Sequence, residues 1–406
     1  MSTTVLISGS GIAGPALAFW LRRHGFTPTV VERAAAPRAG GYKIDLRGAA
    51  VEVAERMGIL DAIRENEAGM QTMSFVDTTG RRVAQLPADL FMGRGTDDVE
   101  IMRGKLAQIL VDATEGDVEY IHGDEITALV ETADGVEVTF ERAPARTFDL
   151  VVGADGLHSR VRELAFGAEE QFVHDMGHGV AIYRVPNHLE LDREELLYST
   201  VGRTVSAYSE AGSTDAAAMF LFPTPEGMPA EKRAFLAETF AGAGWETDRL
   251  LAGAADAPDF YADAVCQIRM DGWSRGRVAL VGDAAYCPSL ASGQGSSLAL
   301  VGAYVLAGEL AAAGGDHAAA FAAYEQRMRA FVEVNQKLGT DGIKRMVPTS
   351  KLQVRLGMFV MQLLPKLPGR ERLVEKMTGS IHDAATAVEL PEYGCTGRVS
   401  APAACL

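Results

Sequence analysis

The chain opens on a short run, Thr3 to Ser8, in which every position but Ser8 is apolar or β-branched, and the run stops abruptly at glycines. Such a run predicts a strand buried on both faces, as in a parallel sheet. Helical spacing follows: Leu17, Trp20 and Leu21 share one face between Ala13 and His24, with Gly25 as the stop. Thr27 to Glu32 is a second buried strand, so the three elements form a βαβ unit with a right-handed crossover. Ala34 to Gly41 reads as a loop and Ala49 to Arg64 as a helix. Alternating residues over Thr72 to Val83 and Val118 to Phe148 predict half-buried strands, with a helix over Ile101 to Ala113 between them. Phe148 to Val152 and Arg277 to Val281 return to the buried-strand pattern. Phe172 to Met270 differs, with short alternating segments, aromatics and breaks at Pro223, Pro225 and Pro229. A long helix is expected from about Gly295 to Ala313, and a Met- and Leu-rich helical tail over Lys351 to Lys376.

These patterns predict an α/β protein with a discontinuous Rossmann-like domain built from residues 1–71, 98–170 and 271–340. Residues 72–97 and 171–270 are expected to form an inserted, mostly β, substrate-binding domain. Residues 341–406 form a C-terminal bridging helix and tail. A length of 406 residues fits two or three domains at roughly 150 residues each.

Charge narrows the partners. Lys and Arg number 38 against 54 Asp and Glu, a net charge of −16, which argues against nucleic acid or an anionic membrane as the main partner. Cys266, Cys287, Cys395 and Cys405 show no CxxC spacing and are too sparse for a disulfide scaffold, so a reducing, cytoplasmic setting is expected. No basic leader opens the chain, and no apolar run is expected to reach the roughly 18 residues of a membrane span. No metal is expected, and either a monomer or a homodimer fits.

Three glycine-containing turns follow buried strands. Gly9-Ser10-Gly11-Ile12-Ala13-Gly14 fits GxGxxG, with a strand before it, a helix opening inside it and Glu32 closing the next strand. Gly9 suits the tight turn, Gly11 lets a pyrophosphate approach the backbone, and Gly14 lets helix and strand pack closely. The helix N-terminus offers N–H groups to phosphates, and Glu32 can accept from a ribose diol. Asp155, in Gly153-Ala154-Asp155-Gly156, sits where doubly wound sheets bind ligands; its bland alternative is an Asx-turn capping the next helix. Gly282-Asp283-Ala284-Ala285, followed by Gly293-Gln294-Gly295 at a helix start, places a carboxylate for a polyol and a helix dipole for a developing negative charge.

In this order and spacing the three motifs resemble the single-component FAD-dependent aromatic hydroxylases, which include p-hydroxybenzoate hydroxylase and the tetracycline-inactivating monooxygenases. The resemblance covers about residues 3–380. It implies that Gly9, Gly11 and Gly14, with Ile12 and Ala13, cradle the FAD pyrophosphate. Glu32 would bind the adenosine ribose, with Arg33 beside the adenine and Arg103 near the ribityl-phosphate. Asp155 would serve FAD and NADPH, and Gly282 and Asp283 the pyrophosphate-ribityl segment. Gly293, Gln294 and Gly295 would line the pyrimidine side of the flavin. Two positions depart from the family: Tyr286 stands where a His is usual, and Leu290 where a Pro is usual, with Pro288 nearby. A single GxGxxG with no following redox disulfide disfavours the disulfide reductases, and the three tryptophans cannot make a halogenase WxWxIP segment.

The family chemistry is flavin-centred. NADPH or NADH reduces FAD, O2 forms a C4a-hydroperoxyflavin, and this hydroxylates a phenolic or polycyclic aromatic compound, as in natural-product tailoring or antibiotic inactivation. No protein nucleophile is expected. Epoxidation, Baeyer–Villiger oxidation and a redox-silent flavin-binding role are the alternatives. Candidate substrate-lining residues are Arg47, Tyr183, Arg184, Tyr208, Met219, Phe220, Phe222 and Pro288, with ordinary sheet core as the alternative for the aromatics and a solvated side chain for Arg47. Phe220 and Phe222 should point together. The Leu356 to Leu364 tail segment is expected to pack across the two domains.

Overall fold

The computed structural model describes residues 2–36, 41–368 and 370–394. Cys395 and Cys405 lie outside them, as does part of the Ala34 to Gly41 loop. A six-stranded sheet forms the centre, in the order Ser274–Arg275, Val278–Leu280, Leu150–Gly153, Thr4–Ser8, Thr27–Glu32, Glu119–His122. Its pairings are parallel except at the Ser274–Arg275 edge. The first strand is central, and its register sets Ser8 beside Gly153, while the third buried strand sets Leu280 on the far side of Gly153. The carboxyl ends of three strands from distant parts of the chain therefore meet, which is where such sheets bind ligands.

Helix Gly295–Ala312 packs against helices Ala13–Arg23 and His317–Met346 under this sheet. It corrects the expectation that no apolar stretch reaches span length, because its 18 residues have a mean hydropathy of 1.4. The helix is 78% buried inside the fold. Being apolar all round, it belongs to the core.

A seven-stranded sheet stands apart, in the order Tyr261–Ile268, Val173–Pro186, Asp215–Pro223, Arg203–Ser209, Glu194–Thr200, Thr72–Val76, Arg82–Pro87. It is antiparallel except where Thr72–Val76 runs parallel to Glu194–Thr200. Helices Lys232–Phe240 and Thr247–Gly253 cover one face, burying Leu236, Phe240 and Leu250. The opposite face looks toward the six-stranded sheet. A two-stranded ribbon, Lys43–Leu46 with Val99–Met102, lies between the two.

Several boundaries differ from the sequence reading. Gly58, at φ +76°, breaks Ala49 to Arg64 into helices Ala49–Met57 and Leu60–Glu65. Ile101 and Met102 belong to the ribbon, and the helix starts at Arg103. The expected boundary at residue 340 falls inside the 30-residue helix His317–Met346, a continuous element that the Ala-rich sequence around it concealed. The tail is split at the Pro365 turn into helices Lys351–Leu363 and Arg370–Ala385.

Candidate active site

The first strand ends in a turn that only glycine fits. Gly9 sits at φ +106°, and a Cβ there would lie 2.6 Å from the Ala154 carbonyl oxygen. A Cβ on Gly14 would lie 1.9 Å from the Gly9 carbonyl oxygen. Strand and helix thus approach more closely than any other residue permits, leaving the helix N-terminus open to a cavity of about 980 Å³ lined by Gly9, Gly11, Ile12 and Ala13. Glu32 closes the second strand beside it. Its carboxylate accepts from the backbone N–H groups of Ser10 and Ala34, both at 2.8 Å. Glu32 and Arg33 both line the cavity.

Arg103 and Asp283 come from motifs far apart in the chain and line the same cavity. A Cβ on Gly11 would lie 3.5 Å from Arg103 Nη2, and one on Gly295 3.6 Å from Asp283 Oδ1. Burial pushes the Asp283 carboxyl above its ordinary range, and the Arg103 charge opposes that rise. Gly293, at φ +66°, and Gly295 complete this wall at the start of helix Gly295–Ala312. Between Asp283 and Gly293 the backbone of Ser289 also takes a left-handed conformation, φ +80°, an uncommon one for a residue with a side chain.

Asp155 lines the cavity and also caps helix Arg160–Phe166. Its carboxylate accepts from Ser159 Oγ at 2.5 Å, Ser8 Oγ at 3.2 Å, and the N–H groups of Arg160 and Val161 at 3.0 and 3.1 Å. Burial raises its pKa against these hydrogen bonds. Asp155 therefore makes the helix-capping turn, and it also borders the cavity.

Three of the proposed cofactor residues do not reach the cavity. Gly14 and Gly282 support the turns from behind, and Gln294 is fully buried away from it. The Tyr286 departure also lies behind the wall: its hydroxyl accepts from Tyr324 at 3.0 Å and its ring packs on Trp273 at 4.7 Å. Leu290 and Pro288, by contrast, do line the cavity.

The substrate-lining expectations divide by strand alternation. Met219 and Tyr208 face the cavity. Phe220 and Phe222 point together as expected, but to the other face, where they pack edge-on against Phe240. Tyr183 stacks on Phe220 at 5.8 Å in that same core. Arg184 lies beside Asp259 at 3.9 Å rather than in the cavity. Arg47 is a further correction: it is buried, paired with Asp45 at 2.8 Å, and donates to the Gly93 and Met92 carbonyls. Three of its five N–H donors are thus held within the protein, and the buried side chain does not line the cavity.

The sequence reading missed most of the apolar wall. Val180, Ile182, Leu197 and Leu221 line it from the seven-stranded sheet, with Met73 and Phe75 from the next strand and Met358 and Met361 from the tail helix. It also missed a buried ionic network at the cavity edge. Lys43 Nζ lies 2.8 Å from Glu195 and 3.1 Å from Glu100, while Arg94 bridges Glu100 at 2.6 Å and Asp45 at 3.3 Å. Burial alone would lower the Lys43 pKa, but Glu195 and Glu100 outweigh it and hold the ammonium charged. Tyr208 Oη accepts from the Lys43 N–H at 3.1 Å, leaving its own proton free for another oxygen. Alternation supplied a signal: Ile182 and Met219 lie on the opposite face from Tyr183 and Phe220.

A dinucleotide cradle opening onto an apolar chamber defines a nucleotide-cofactor oxidoreductase. The residues fit a flavin dinucleotide: Gly11 and Gly295 line the cavity without side chains, beside Arg103 and Asp283, whose charge and carboxylate suit a pyrophosphate and a polyol. The chain belongs to the family described as the FAD binding domain, whose model matches residues 2–337. It is 39% identical over 394 residues to a flavin-dependent monooxygenase of an unknown prokaryotic organism, covering 96% of this chain and 98% of that one. The solved tetracycline destructase Tet(55) superimposes with a TM-score of 0.84 at 38% identity, covering 97% and 99% of the two chains. Klebsiella pneumoniae HpxO, solved with FAD and uric acid, shares the fold at a TM-score of 0.73 and 24% identity, over 93% of this chain and 96% of that one. This chain is a flavin-dependent monooxygenase that binds FAD.

Proposed function

We propose that the enzyme uses NADPH or NADH and O2 to hydroxylate a polycyclic aromatic small molecule, with a tetracycline-like antibiotic as the leading candidate. The observation that carries this reading is the continuity of the cavity, from the GxGxxG cradle to the apolar face of the seven-stranded sheet. A volume of about 980 Å³ is at the upper end for a single small ligand, which suits a dinucleotide's reactive end plus a fused-ring substrate. The likeness to Tet(55) supports the same substrate class.

When bound, FAD accepts a hydride and activates oxygen. The chain's own groups do the rest. The main-chain N–H groups at the start of helix Ala13–Arg23 and Arg103 meet the pyrophosphate charge. The N-terminus of helix Gly295–Ala312 opens on the cavity, where its dipole would favour negative charge on a bound ring system. Val180, Met219 and Leu221 exclude water from the reacting face. Tyr208, its pKa raised by burial, keeps its proton and donates it in a hydrogen bond to a phenolic or keto oxygen. Lys43, held by Glu195 and Glu100, fixes that hydroxyl's position.

The test is turnover with NADPH, O2 and a panel of tetracyclines and simpler phenols, followed by mass analysis. A product heavier by one oxygen atom from a fused-ring phenol supports the reading. Substrate-independent oxidation of NADPH across the whole panel contradicts it.

A further inference from the structure

Helix Lys351–Leu363 walls the cavity with one face and leaves the other bare. Val354, Met358 and Met361 face inward. On the outward side Leu352 is 74% exposed, Leu356 57%, Phe359 60% and Leu363 40%. These residues recur at spacings of three and four, so they form one continuous apolar stripe. None of the helix's residues is buried. Val201, itself exposed, extends the patch from the neighbouring turn, where the Gly202 N–H donates to the Pro348 carbonyl at 2.7 Å.

The charge around the stripe is opposite to that of the molecule. From Gly342 to Arg370 the sequence carries Lys344, Arg345, Lys351, Arg355, Lys366 and Arg370 and no acidic residue, in a chain of net charge −16. Lys351, Arg355 and Lys366 are exposed off the cavity wall, whereas Lys344 and Arg345, also exposed, border the cavity. Among the described residues none of these five makes an ion pair, whereas basic residues elsewhere are commonly bridged to carboxylates. An apolar helical stripe flanked by unpaired cations is the pattern of a helix that lies in a bilayer interface, its apolar side among the acyl chains and its cations at anionic headgroups. A second copy of the chain would bring two such cationic fringes together, which disfavours self-association through this face.

We infer that the outward face of helix Lys351–Leu363 docks the enzyme reversibly on an anionic lipid surface. The net negative charge of the rest of the molecule then orients it, with this face toward the lipid and the remainder repelled. Docking also sets the inner wall of the cavity one helix away from the bilayer. The inference stands independently of which substrate the enzyme oxidises.

The test uses the full-length, FAD-loaded protein and sedimentation with vesicles of equal parts phosphatidylglycerol and phosphatidylcholine, against vesicles of phosphatidylcholine alone. Binding is expected only to the anionic vesicles and is expected to weaken with added salt. Phe359→Glu with Leu356→Glu, and separately Lys351→Glu with Arg355→Glu, should each lower partitioning by about tenfold or more. All four side chains are exposed and off the cavity wall, so FAD content and NADPH oxidation should stay at wild-type levels. The inference is overturned if the wild type fails to sediment with the anionic vesicles, or if the variants bind them equally. A concentration-dependent dimer that Phe359→Glu dissociates, with no vesicle binding, also overturns it and assigns the face to a second copy.

Discussion

The carbonyl oxygen of Gly9 occupies the place where a side chain on Gly14 would begin, 1.9 Å from that missing Cβ. The contact locks the first strand to the helix that follows and holds the helix N-terminus over the cofactor cavity. Gly14→Ala must therefore push the helix away from the turn. A loss of about 1–3 kcal/mol in stability is expected from such overpacking, together with a lower ratio of bound flavin to protein. Thermal unfolding and the flavin absorbance of the purified variant check both.

The two faces of the seven-stranded sheet should separate stability from substrate binding. Phe220→Ala empties a buried site among Tyr183, Phe222 and Phe240 and is expected to cost about 3–5 kcal/mol, with little change in KM. Met219→Ala, one residue earlier, opens the cavity wall instead. It should raise KM for the fused-ring substrate and cost less in stability. Denaturant unfolding and steady-state kinetics on the pair decide whether the faces are assigned correctly.

That pair also marks how far the sequence could be read. The strand–glycine–helix turns, Glu32 and the discontinuous α/β plan were legible because each rests on local backbone physics: uninterrupted apolar runs, glycines at a turn, a carboxylate at a strand end. The chemistry of the wall was not. Alternation says that Met219 and Phe220 face opposite ways, but not which way is the cavity, and aromatic residues drew the assignment toward the core face. Arg47 followed the same logic, since its burial depends on helix Ala88–Met92 bringing the Met92 and Gly93 carbonyls alongside. The Lys43–Glu195–Glu100 cluster joins three distant segments and leaves no local signature.

Tyr208→Phe removes the hydroxyl proton offered to the substrate and leaves the Lys43 N–H without its acceptor. One neutral hydrogen bond is worth about 0.5–1.5 kcal/mol, so KM should rise from about twofold to about tenfold. Reduction of the bound flavin by NADPH without substrate should be unchanged. Stopped-flow reduction beside steady-state KM measures the split.

His158 binds Asp263 and Glu169, both at 2.8 Å, and the hydrogen bond it donates to Asp263 leads the effects that push its pKa up to about 9. A raised pKa stabilises the fold while the unfolded imidazole is still protonated, below about pH 6.5, and that stabilisation is lost as pH rises through about 9. The stability difference between wild type and His158→Asn should accordingly be largest in the acidic part of this window and shrink above it. Thermal unfolding across the window, with NMR titration of His158, tests the sign.

The most direct test of the central account is the flavin spectrum of the purified protein during anaerobic NADPH addition, with and without a tetracycline. The account predicts a yellow protein whose flavin bands bleach, and bleach faster when the fused-ring compound is present. A protein that takes up no FAD, or bound flavin that neither NADPH nor NADH can bleach, would contradict it.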